Sequence, residues 1–121
     1  MIVVIGGSGY VGSHVVRRLA EKGKPVRVMV RNIQTAQNEG RLNNLDIDWV
    51  EADVTKPESL KPVFENAHAV IHTVAIAIEK GGKTYEEINT LGTVNVLEAT
   101  RISGVKRFIN LSQLGADSGL P

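Results

Sequence analysis

Apolar residues follow two rhythms along this chain. A short apolar run rich in β-branched side chains predicts a strand at Met1–Ile5, and a near-continuous apolar run at Ala69–Ala75 predicts one covered on both faces; Val26–Arg31, Ile47–Glu51 and Lys106–Leu111 also read as strands. Between them, apolar positions recur every three or four residues, the mark of amphipathic helix. Val11, Gly12, Val15, Val16 and Leu19 share one helical face, with Arg17, Arg18, Glu21 and Lys22 mostly away from it. Residues 33–44 are more polar and predict a short helix followed by a loop. Tyr85 to Ile102 is the longest helical pattern. Ile88, Leu91, Gly92, Asn95, Ala99 and Ile102 lie on one face, and Val94, Val96 and Leu97 widen the apolar arc, which predicts burial on more than one side. Asn95 then needs polar partners within that face.

Breaks in the pattern sit where helix chemistry wants them. Gly23 closes the first helix and Pro25 prevents its restart, while Gly104 ends the last one. Thr55 and Glu58 have capping-box spacing, Pro57 suits a first helical turn, and Pro62 interrupts or shortens the helix that follows. His14 projects opposite the apolar stripe of its helix and reads as a solvated residue. His68 starts a strand and touches solvent. His72 lies within an apolar run and reads as a hydrogen-bonded core histidine rather than a catalyst.

Strands alternating with helices imply right-handed crossovers and a parallel sheet. The expected architecture is α/β, a doubly wound parallel sheet in the order 3-2-1-4-5. In such a sheet ligands bind beyond the carboxyl ends of the strands where the order reverses, here between the first and fourth strands.

The glycine pattern sharpens that expectation. The first strand runs into Gly6-Gly7-Ser8-Gly9-Tyr10-Val11-Gly12, and a helix begins at once. Strand, glycine turn and helix together present backbone N–H groups to a phosphate. Gly6 allows a tight turn, Gly9 the approach of a pyrophosphate, and Gly12 the close packing of helix on strand. The plainer alternative is a glycine-rich turn without a ligand. At the end of the second strand, where an NAD site usually places an acid for the ribose 2′-hydroxyl, the chain has Arg31-Asn32 and no acid between Glu21 and Glu39. A guanidinium there suits a 2′-phosphate and favours NADP over NAD. It could instead stack on adenine or face water. Asp53, followed by Val54, ends the third strand. It either accepts from the adenine amino group or caps a turn. Thr73, Val74 and Ala75 end the fourth strand, and the loop at 76–83, with Gly81-Gly82, would line the nicotinamide side. Ser112 follows the fifth strand into the same crevice, and residues 116–121 form a polar, turn-rich tail.

Composition removes several classes of function. At 121 residues the chain is one domain, with 42% hydrophobic and 22% charged residues, ordinary for a soluble globular protein. A net charge of +1 gives no electrostatic case for nucleic acid or a membrane surface. There is no cysteine, so disulfide and thiolate chemistry are excluded. No apolar run approaches the roughly 20 residues of a membrane span, and no secretory signal precedes the first strand. A cytoplasmic protein is the default expectation.

Four segments taken together resemble the atypical or extended short-chain dehydrogenases/reductases, whose fold is the NAD(P)-binding Rossmann domain. They are Gly6 to Gly12, Asp53-Val54, Asn89 to Ala99 (NTLGTVNVLEA), and Gly104 to Ser112 (GVKRFINLS). They span nearly the whole chain in the family's order and spacing. The nearest subset holds sugar-nucleotide epimerase-like proteins, NmrA-like proteins and the dinucleotide-binding accessory subunit of respiratory complex I. The resemblance implies NAD(P) at Gly6, Gly9 and Gly12 and an adenine contact at Asp53. It also implies a structural and catalytic Asn at Asn89 and an active-site hydroxyl at Ser112, although Gln113-Leu114 departs from the family's run of small residues.

The family's general acid/base, a Tyr with a Lys four residues later, is absent from these residues. His14 follows Tyr10 at that spacing, and Asn89 follows Tyr85. By the resemblance, the pair and the substrate-binding segment would come later in the chain. An apolar fifth strand left as an edge points the same way, to a truncated domain or to self-association through that edge. The expected function is therefore dinucleotide binding, without turnover by these residues alone, within an NADP-dependent oxidoreductase or epimerase acting on a small molecule by hydride transfer. The other readings are a non-catalytic NAD(P)-binding subunit or redox sensor, and a flavodoxin-like domain without nucleotide.

Overall fold

A computed structural model describes residues 1–7, 9–73 and 91–111. Five short strands, β1 (Ile2–Ile5), β2 (Val26–Val30), β3 (Asp48–Glu51), β4 (Ala69–His72) and β5 (Arg107–Asn110), form one all-parallel sheet in the order β3-β2-β1-β4-β5. The helices are α1 (Tyr10–Glu21), α2 (Ile33–Glu39) and α3 (Gly92–Ser103), and a 3-10 segment (Pro57–Phe64) links β3 to β4.

The period of two along each strand splits the core into two layers. Val4, Val26, Val28 and Val30 face α1 and α2 and pack with Val16, Ala36 and Leu42. Val3, Ile5, Met29 and Val70 face the other way, onto Leu60, Val63 and Phe64 of the 3-10 segment and Val96 of α3. β1 is buried by both layers, as its unbroken Val-Ile run requires. Arg27 on β2 ties the neighbouring strand to the 3-10 segment. Its Nε is 2.8 Å from Asp48 Oδ2 on β3, and Nη1 donates to the carbonyls of Val63 and Glu65.

The helix ends follow the sequence signals. Gly23 and Gly104 adopt φ near +75° just past α1 and α3, where an L side chain is strained. Three expectations need correction. The Thr55–Glu58 capping box does not form, because Asp53 Oδ1 takes both the amide and the hydroxyl of Thr55. The turn then opens on Lys56 with Pro57 in its first position and stays 3-10 through Pro62, which has no amide to give. Val11, expected on the buried stripe of α1, is exposed, and the buried face runs through Gly12, Ser13 and Val16.

The third correction concerns α3, which is buried along one narrow line, Gly92, Val96 and Thr100, at every fourth residue. Leu91, Val94, Leu97 and Ile102 are exposed. Hydropathy counted apolar positions and could not tell which of them face the 3-10 segment and sheet. Asn95 finds the partner it needs, its Nδ2 donating to the Val54 carbonyl at 2.8 Å. Residues 85–90 of the expected helix lie outside the described residues.

Candidate dinucleotide site

The order of the sheet reverses between β1 and β4, and the glycine turn sits at that reversal. Gly6 has φ +81°, the left-handed conformation that turns the chain out of β1. Its amide donates to the Met29 carbonyl at the end of β2. On the other side Thr73 donates its amide and its hydroxyl to the Ile5 carbonyl. The turn is thus pinned to both neighbouring strands, and the Thr73 hydroxyl is already engaged in that pinning.

Steric detail separates the glycines. A Cβ on Gly12 would lie 2.1 Å from the Gly6 carbonyl oxygen and 2.9 Å from Gly7 Cα, so the protein's own backbone demands glycine there. A Cβ on Gly7 would lie 2.6 Å from a Val28 methyl, which makes Gly7 a packing residue. Gly9 differs from both. A Cβ there would meet only the Gly6 oxygen, at 3.4 Å, and its backbone (φ −72°, ψ 177°) suits any residue. Nothing in the described fold requires residue 9 to be glycine, so the open space over it is free for a ligand.

Gly9 is also the N-cap of α1, and it lacks a capping side chain. The first turn has no acidic residue. Among the described residues the amides of Tyr10 and Val11 have no acceptor, whereas the Ser13 amide bonds back to the Gly9 carbonyl. A helix start with unmet N–H groups and an open approach is suited to an anion. The residues present therefore fit a diphosphate. Tyr10 is exposed, its ring edge-on to His14 with centroids 5.0 Å apart, and His14 is exposed as expected.

The remaining candidates differ in how far their side chains are already engaged. Arg31, one residue past β2, is exposed and has no side-chain partner among the described residues. Asn32 beside it is committed elsewhere: its Oδ1 accepts the Thr35 amide at 2.8 Å and caps α2. Asp53 is half-buried, and its Oδ1 holds the Thr55 turn, the capping alternative left open by sequence. Val54 has its side chain in the core and its carbonyl on Asn95. Ser8, Val74, Ala75, Asn89 and Ser112 lie outside the described residues, as do the loop at 76–83 and Tyr85. No group of three or more His, Cys, Asp or Glu suited to a metal occurs among the described residues.

Two features escaped sequence reasoning. Glu51 ends β3 opposite Val30, and its Oε2 accepts the Ile33 amide at 2.9 Å. An acid therefore stands beside the end of β2 after all, delivered by the neighbouring strand. It is far from Arg31 in sequence, and only the register of the sheet brings them together. The second feature is the environment of His72, which is buried on β4 as expected. Its ring lies 6.0 Å from that of Phe108, and Nδ1 donates to Oδ1 of Asn110 on β5 at 2.9 Å. Nε2 is buried with no hydrogen-bond partner among the described residues.

Burial lowers the His72 pKa below its ordinary value, and the bond to Asn110 offsets this only in part. The folded state therefore takes up a proton less readily than the unfolded chain. The resulting contribution to stability is full above the unfolded pKa of about 6.5 and is lost as pH falls through the lower folded value. Thermal midpoints should fall between pH 7.5 and 5.5, and His72→Gln should flatten that part of the profile. An identical slope in both proteins would contradict this.

The model of the NAD dependent epimerase/dehydratase family matches residues 2–113. The chain belongs to that family. The chain is similar to UDP-glucose 4-epimerase from Erwinia amylovora, 34% identical over 135 residues that cover 99% of this chain and 40% of that protein. Among solved structures, the crystal structure of gox2253 superposes with a TM-score of 0.82 at 28% identity, covering 100% of this chain and 38% of that one. UDP-glucose 4-epimerase from Thermus thermophilus, crystallised with NAD, has a TM-score of 0.70 at 27% identity over 88% of this chain and 35% of that one. The chain thus spans two fifths or less of the length of these relatives. As a member of the epimerase/dehydratase family it is a nicotinamide-dinucleotide-binding domain of the short-chain dehydrogenase/reductase type. Among the described residues no helix is long and apolar enough to cross a membrane.

Proposed function

We propose that the domain holds its dinucleotide with the diphosphate on the amides that open α1, and that the preferred form is NADP. The observation that carries this reading is the open space over Gly9 at the start of α1, where the Tyr10 and Val11 amides find no acceptor among the described residues. Gly6 to Gly12, with Ser8 among them, form the phosphate cradle. Arg31 meets the 2′-phosphate with a guanidinium that no other described residue engages. Asn32 supports that position by capping α2, and Asp53 and Val54 edge the adenine side. Thr73, Val74 and Ala75 border the nicotinamide side.

The protein that carries this domain is proposed to act as an oxidoreductase or epimerase. Bound nicotinamide supplies a hydride acceptor or donor for such chemistry. Ser112 and Asn89 would act on the substrate side. These 121 residues contain no Tyr with a Lys four positions on, so the chain by itself is proposed to bind cofactor without turnover.

Titration of the purified chain with NADPH and NADH tests the cofactor preference. NADPH should bind about tenfold more tightly, a difference of about 1.4 kcal/mol, and Arg31→Ala should erase the difference. Equal affinities in the unsubstituted chain would contradict the role given to Arg31.

A further inference from the structure

We propose that the Glu51 carboxylate works against a 2′-phosphate and so sets the margin between NADP and NAD in this domain. The inference rests on the dinucleotide site described above and adds a second determinant to it. Glu51 pairs with Val30 in the sheet register, one residue before Arg31. Its Oε2 is 2.9 Å from the Ile33 amide, two residues past Arg31. The carboxylate therefore lies across the end of β2, where a doubly wound sheet receives the adenosine ribose.

The amides of the α2 start show what this placement does. Ile33 N–H is taken by Glu51, and Thr35 N–H by the side chain of Asn32. Ala36 N–H is taken by the Asn32 carbonyl. A phosphate arriving here finds those donors occupied and a carboxylate beside them. Arg31 is left as the attractive group, with the charge of Glu51 set against it. A ribose hydroxyl meets no such opposition, because the carboxylate can accept from it. The two residues thus pull in opposite directions, Arg31 towards NADP and Glu51 towards NAD, and the preference of the domain is the difference.

Glu51→Gln isolates the charge. The amide oxygen can still accept from Ile33, so α2 keeps its cap, while the repulsion of a 2′-phosphate is gone. NADPH affinity should rise about five- to tenfold at low salt, and NADH affinity should change less than twofold. The gain should shrink as ionic strength rises. Glu58→Gln, on the 3-10 segment, makes the same change in net charge and should leave both affinities where they were. An unchanged NADPH-to-NADH ratio in Glu51→Gln would overturn the inference, as would an equal gain in Glu58→Gln. If the unsubstituted chain binds neither dinucleotide, the site reading itself falls, and this inference falls with it.

Discussion

Gly9→Val should abolish dinucleotide binding and leave the fold intact. A side chain at residue 9 meets no obstacle in the protein beyond the Gly6 oxygen at 3.4 Å, and the extended backbone there accepts a β-branched residue. Replacing a glycine N-cap with valine costs stability of about 1 kcal/mol or less. The isopropyl group, however, would fill the open space over residue 9, through which the proposed diphosphate approaches the start of α1. Losing two charge-assisted hydrogen bonds at about 1.5–3 kcal/mol each corresponds to at least a hundredfold loss of affinity. Isothermal titration with NADPH and a thermal melt of the same sample separate the two effects. Binding that survives the substitution within threefold would show that the diphosphate lies elsewhere.

Gly12→Ala should do the opposite, damaging the fold first. The new methyl would lie 2.1 Å from the Gly6 oxygen and within 2.9 Å of two further backbone atoms. No side chain can rotate away to relieve this. The helix must lift from the turn, and the cost of such overpacking is about 3 kcal/mol or more. That is a large share of the roughly 5–15 kcal/mol that holds a domain of this kind together. The thermal midpoint should drop by about 10 °C, and one within about 2 °C of the unsubstituted protein would contradict the packing described for α1. The two glycines lie one helical turn apart in one motif, yet the described packing demands glycine at only one of them.

Much of this is legible in the residues. The strand runs, the glycine helix stops and the 3-10 region's prolines follow from local chemistry, and the sheet order follows from crossover handedness. His72 is readable as a buried, hydrogen-bonded histidine because it interrupts an apolar strand. What fails depends on distance or on packing. The exposed apolar side of α3 cannot be told from its buried line, since Leu91, Val94 and Ile102 are as apolar as Val96. The capping box gives way to Asp53 because two polar groups compete for the same amide and the shorter loop wins. Sequence adjacency groups Asn32 with Arg31 but does not show that its Oδ1 starts α2. Glu51 is invisible as a neighbour of Arg31 because strand register, not sequence spacing, joins them.

The central claim is that a diphosphate lies on the first amides of α1. Amide-resolved NMR of the nitrogen-labelled chain during an NADPH titration addresses it directly. The account predicts that the Gly9, Tyr10, Val11 and Gly12 amide resonances move together and saturably, with the largest displacements in the spectrum at Tyr10 and Val11. Resonances that stay in place at saturating NADPH, in a chain whose spectrum shows it folded, would contradict it.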